Sequence, residues 1–108
     1  MTKFNLSQFK RAMKEGIPFE VVEHYIRPEC KGNIRKAVKV QSNGMYTKNI
    51  NKPDNSEWNN FNGGKGGWTE FGKASQYTYE NEIITYYSDE DHEYPVLSFK
   101  LRPEIKEV

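Results

Sequence analysis

The apolar positions of the first sixteen residues repeat at helical spacing. Leu6, Phe9, Ala12 and Met13 share one face, Asn5 or Ser7 can cap the start, and Gly16-Ile17-Pro18 supplies the stop. Lys3, Lys10, Arg11 and Lys14 fall on an adjoining flank, which reads most simply as a solvated face. After Pro18 the period becomes that of strands. Residues 19–26 are rich in β-branched and aromatic side chains, Arg27-Pro28 ends the run, and residues 29–33 turn around Gly32. Residues 34–41 then alternate, with Ile34, Val38 and Val40 on one face and Arg35, Ala37, Lys39 and Gln41 on the other. Asn43-Gly44 is the strongest hairpin signal in the chain, since both residues tolerate positive φ, and residues 45–50 form the returning strand.

The pattern then breaks. Six of the fourteen residues 49–62 are asparagine and four glycines lie between Gly63 and Gly67, a long connection without a period. Trp58 and Trp68 give it the means to fold back onto the core. Residues 68–71 and 76–79 read as short strands broken at Gly72-Lys73-Ala74. Residues 83–87 and 96–101 predict a second hairpin around the acidic loop 88–94, with Leu97, Phe99 and Leu101 facing one way and Pro103 ending the strand. Together these elements predict a single α+β domain over residues 1–108. One N-terminal helix packs on a twisted antiparallel sheet of five to seven short strands, with partial closure into a barrel as a means of managing the edges.

Composition narrows the class. Leu, Ile, Val and Phe make up only 22 of 108 residues, so the 15 aromatic residues must carry much of the core. No apolar run approaches the length of a membrane span, and the N-terminus lacks the apolar stretch of a signal peptide. A single cysteine excludes an intramolecular disulfide framework and a cysteine-only zinc cage. The expectation is a soluble, reduced, cytoplasmic protein. Lys outnumbers Arg 12 to 4 and asparagine is plentiful, which points to a low-GC genome.

Charge is distributed unevenly. Residues 1–54 hold eleven Lys or Arg against five Asp or Glu, and residues 55–108 hold five against ten, so a net charge of +1 conceals a basic half and an acidic half. Such polarity suits electrostatic steering toward a charged macromolecule.

Catalytic equipment is sparse. The run from Asn62 to Trp68 has the glycines of a phosphate loop but not its spacing, because Lys65 is followed by glycine and an aromatic strand. A weaker reading makes its backbone N–H groups an anion nest beside Lys65. Cys30 and His24 would need hydrogen-bond proximity and an oxyanion site to act as nucleophile and base. Nothing local supplies a signature, so both read as structural. Asp89, Glu90, Asp91 and Glu93 lack the spacing of a calcium loop; a solubilising turn is the plain reading and a patch mimicking nucleic-acid phosphate the functional one. No motif implies a cofactor or a metal.

Two stretches, residues 41–48 (QSNGMYTK) and 62–75 (NGGKGGWTEFGKAS), together with the helix-to-strand opening, resemble small proteins of phages and prophages of low-GC Gram-positive bacteria. The resemblance spans about two thirds of the chain and transfers no active-site residue. It implies a non-enzymatic protein that binds and inhibits a host nucleoprotein machine, CRISPR inhibitors being one example; read from the charge pattern, Asp89, Glu90, Asp91 and Glu93 are its partner-binding residues at a nucleic-acid site, or the basic half grips an acidic surface. The alternative read from the residues is a module for single-stranded nucleic acid, in which Arg35, Lys39, Tyr46, Lys48 and Lys65 track phosphates and stack bases. An enzyme using Cys30, His24 or the acidic loop is the third and weakest expectation.

Overall fold

The computed structural model describes residues 5–51 and 67–105. Lys3, Trp58, Lys65 and all but the last residue of the glycine cluster lie outside them, so the nest reading and the folding back of Trp58 concern residues that are not described.

The chain is an α+β fold in which one helix packs with a seven-stranded antiparallel sheet curled into a half-barrel. Helix α1 (Leu6–Lys14) starts at Asn5, whose side-chain oxygen accepts from the Gln8 N–H at 3.0 Å. Glu15 caps its C-terminus and Gly16, at φ +81°, turns the chain out of the helix. The strands are β1 (Phe19–His24), β2 (Ile34–Val40), β3 (Gly44–Asn49), β4 (Gly67–Glu70), β5 (Tyr77–Glu80), β6 (Ile83–Tyr87) and β7 (Pro95–Leu101). Their order across the sheet is β4-β3-β2-β1-β7-β6-β5, which leaves β4 and β5 as the two edges.

Three register slips help to bend the sheet. Val22 on β1, Val38 on β2 and Val96 on β7 each sit as an extra residue opposite a continuous partner strand. A bulge adds local twist and reverses the inward–outward phase of the residues beyond it. This corrects the expectation for β2. Arg35 (4% exposed) and Ala37 face inward and Val38 is 44% exposed, and the bulge between Ala37 and Lys39 turns Lys39 outward while bringing Val40 back onto the core.

Phe9 on α1 is the hub of the core. Its ring lies 5.4 Å from Phe99, 6.0 Å edge-on from Phe71 and 6.2 Å from Tyr77. Met13, Phe19, Val21, Met45, Ile84 and Leu97 fill the space around these rings. Each such buried side chain contributes ~1.5–3 kcal/mol, so aromatic packing does supply much of what a chain poor in aliphatics needs. The Tyr77 hydroxyl donates to the Phe71 carbonyl at 2.5 Å, tying β5 to the segment after β4.

The first hairpin joins the expected strands by an unexpected turn. Neither Asn43 nor Gly44 is at positive φ. Gly44 is required for space instead: a Cβ there would meet the Trp68 ring at 2.4 Å and the Thr69 carbonyl oxygen at 2.6 Å. The two-residue turn with both central residues at positive φ is Asn81-Glu82 (φ 54° and 67°), which pairs β5 with β6.

Candidate functional site

The sheet presents two faces with different chemistry. On the convex face of the β2–β3–β4 wing, Lys39, Tyr46 and Trp68 form one rung across three strands. The Tyr46 and Trp68 rings meet edge to face with centroids 5.0 Å apart, and Trp68 is 36% exposed. The next rung pairs Lys36 with Lys48. The Lys36 stem also lies along Gly16, where an added Cβ would come within 3.0 Å of its Cε.

Of the residues expected to bind nucleic acid, Lys39, Tyr46 and Lys48 are brought together here. Arg35 is not, since the pleat points it to the concave side, and Lys65 is outside the described residues. Lys36 and Trp68 are the members that sequence reasoning missed. A register that carried the Val38 bulge would have found Lys36, whereas Trp68 joins the rung through the pairing of β4 with β3.

The concave side opens at the mouth of the half-barrel into a cleft of about 940 Å³. His24, Arg27, Arg35, Tyr86 and Leu97 line it together with Ile26 and Val96, and the edge strand β4 borders it. His24 ends β1 and is only 9% exposed. Its Nδ1 accepts the Arg27 backbone N–H at 2.9 Å, which leaves Nε2 to carry the proton. Burial, then the charges of Arg35 and Arg27, hold its pKa below the ordinary imidazole value against a weaker pull from Glu29. Arg35 donates through Nε to Asn49 Oδ1 at 3.3 Å and lies beside the buried Cys30 thiol.

The acidic loop between β6 and β7 is organised by its own first residue. Both Asp89 carboxylate oxygens accept the Glu93 N–H at 3.1 Å, and Oδ1 also accepts from Tyr94 at 3.0 Å. Glu90 pairs with Lys73 at 3.1 Å, and His92, at φ 60°, stacks on Tyr87 and reaches the Ser75 carbonyl. Asp91 and Glu93 are exposed. Among the described residues no group of three His, Cys, Asp or Glu could hold a metal ion, and no helix is long and apolar enough to cross a membrane.

Comparisons with protein-family models, with curated proteins and with solved structures return no match. The functional reading therefore rests on these two faces and the acidic loop.

Proposed function

We propose that this chain is a non-enzymatic binding protein that holds single-stranded nucleic acid on the convex face of β2–β3–β4. The observation that carries the reading is the Lys39–Tyr46–Trp68 rung with Lys36 and Lys48 on the rung beside it. An aromatic platform accepts any base, at ~1–3 kcal/mol per stacked base, while flanking ammonium groups follow the phosphates. A rigid strand scaffold fixes their spacing, and Gly44 lets the indole lie flat against the sheet.

A second reading is favoured by the fixed shape of the acidic loop. An inhibitor of a host nucleoprotein machine, such as a CRISPR effector, would present Asp91 and Glu93 from a loop that Asp89 has already ordered. The geometry supports it less well. Of its four carboxylates, Asp89 is engaged within the loop and Glu90 lies against Lys73.

The two readings part in one experiment. Fluorescence anisotropy of labelled oligo(dT) should report binding whose log affinity falls with log salt at a slope of about −2, for three lysine–phosphate contacts. Tyr46→Ala and the double variant Lys39→Glu/Lys48→Glu should each weaken it at least tenfold, whereas Asp91→Lys/Glu93→Lys should leave it intact or tighten it. Absence of binding at low salt would remove the nucleic-acid reading.

A further inference from the structure

Of the two sheet edges, β4 is the open one. The Phe71 N–H donates to the Asn43 carbonyl at 3.1 Å, which sets the phase of the ladder between β3 and β4. Main-chain groups alternate in direction along an antiparallel strand. Gly67 and Thr69 therefore turn theirs toward β3, and Trp68 and Glu70 turn theirs to the free edge. Among the described residues none of these outward N–H and C=O groups meets a partner. β4 has no lysine, proline or bulge to guard the edge, and only its length of four residues limits pairing. At the opposite edge the Tyr77 N–H of β5 is already taken by the Ala74 carbonyl. β4 also borders the cleft of about 940 Å³, so an added strand has room beside it.

Side chains decide what fits. Residues directly opposite each other in a ladder point to the same face. Residues of an added strand opposite Trp68 and Glu70 share the convex face with them, and the residue opposite Thr69 points with Met45 to the concave side. Glu70 is exposed and has no ion pair among the described residues, so the outward positions favour a cation. Lys39 and Lys48 lie two or three strand spacings from the added strand, roughly 10–14 Å, where salt screens them. On the concave side Ile26, Val96 and Leu97 offer apolar surface, and Arg27 and Arg35 oppose a cation. A second copy of β4 fits poorly, since it would bring another Glu70 and no cation to this edge. We infer that β4 accepts an extended segment of a partner protein as an eighth, antiparallel strand, in which lysine or arginine alternates with apolar residues. The cations lie beside Trp68 and Glu70, and the apolar side chains enter the cleft. Main-chain bonds supply the affinity and the alternation supplies the specificity. These bonds are to the main chain of β4, so the inference stands apart from nucleic-acid binding at Lys39, Tyr46 and Lys48.

The test is a titration of ¹⁵N-labelled full-length protein with three capped heptapeptides. One alternates valine with lysine, the second valine with glutamate, and the third is the lysine peptide N-methylated at the lysine main-chain nitrogens. The lysine peptide should shift the amides of residues 67–70 and slow hydrogen exchange at Trp68 and Glu70 at least tenfold near saturation. The glutamate and N-methylated peptides should each bind at least tenfold more weakly, the first for want of charge and the second for want of edge donors. Glu70→Lys, at an exposed position, should weaken the lysine peptide at least tenfold and tighten the glutamate one. Equal binding of the N-methylated and parent peptides, unchanged affinity in Glu70→Lys, or no shift at about 5 mM lysine peptide overturns the inference. So does slow exchange at both amides in the protein alone, whether it rises with concentration, as a second copy on this edge requires, or is independent of it.

Discussion

Gly44→Ala is the substitution that most sharply tests how the convex face is built. An ideal Cβ at position 44 sits 2.4 Å from Trp68 Cζ2, 2.8 Å from Cη2 and 2.6 Å from the Thr69 carbonyl oxygen. The indole can rotate away, but the carbonyl belongs to the backbone of β4, which is paired to β3 through Gly44↔Glu70 and Met45↔Thr69. Restoring an ordinary 3.4 Å contact requires a movement of about 0.8 Å between the strands. Overpacking of this kind costs ~1–3 kcal/mol, and because backbone must yield, the upper half of that range, ~2–3 kcal/mol, is expected. In a domain of this size that lowers Tm by ~8–20 °C, readable by circular dichroism or urea titration. Trp68→Ala in the same chain should recover part of the loss, leaving the share owed to Thr69. Gly44→Asn discriminates the cause: a positive-φ requirement would tolerate asparagine, whereas a steric one makes it at least as harmful as alanine. A Gly44→Ala variant within ~0.5 kcal/mol of the parent would refute the argument.

Three further outcomes rest on local geometry. Glu82→Gly should stabilise the chain by ~0.5–1 kcal/mol in urea titration, since φ 67° strains a residue with a Cβ and the Lys100 ion pair it loses is exposed. Tyr77→Phe should cost ~1–2 kcal/mol in the same assay, because the buried Phe71 carbonyl loses its donor; a loss below ~0.3 kcal/mol would contradict it. At Asp89 a burial effect that raises the carboxyl pKa is outweighed by the Tyr94 and Glu93 backbone N–H groups, so the pKa lies below its usual value. The stabilisation is thus complete above the unfolded-state value of ~3.9 and lost as pH falls through the lower folded one. Hydrogen exchange at Glu93 and Tyr94 should accelerate over that range in the parent and show no such step in Asp89→Asn.

Much of the architecture was legible from periodicity. The helix face of Leu6, Phe9, Ala12 and Met13, the strand 83–87 and the inward Leu97 and Phe99 come directly from spacings of 3.6 and 2. The errors of strand phase share a cause. Val22, Val38 and Val96 are apolar residues at bulges, and a valine that breaks the count looks in sequence like one that keeps it. On β2 the bulge put Lys39 on the face opposite Arg35 and Val40 on the face opposite Val38. The positive-φ turn was assigned to Asn43-Gly44 because Asn-Gly is the usual chemistry, whereas the chain places it at Asn81-Glu82, where a glutamate gives no such signal. His24 on β1 and Tyr86 on β6 share the cleft with Arg35 on β2 through a sheet order that interposes β7, a proximity no linear spacing encodes.

The most direct test of the central claim is a map of where single-stranded nucleic acid touches the protein. Titration of ¹⁵N-labelled protein with oligo(dT) at low salt should shift the amides of Lys36, Lys39, Tyr46, Lys48 and Trp68, and the Trp68 indole N–H, in one saturating process. The amides of Asp89, Glu90, Asp91 and Glu93 should stay in place. Shifts absent from the convex face, or confined to other surfaces, would contradict the account.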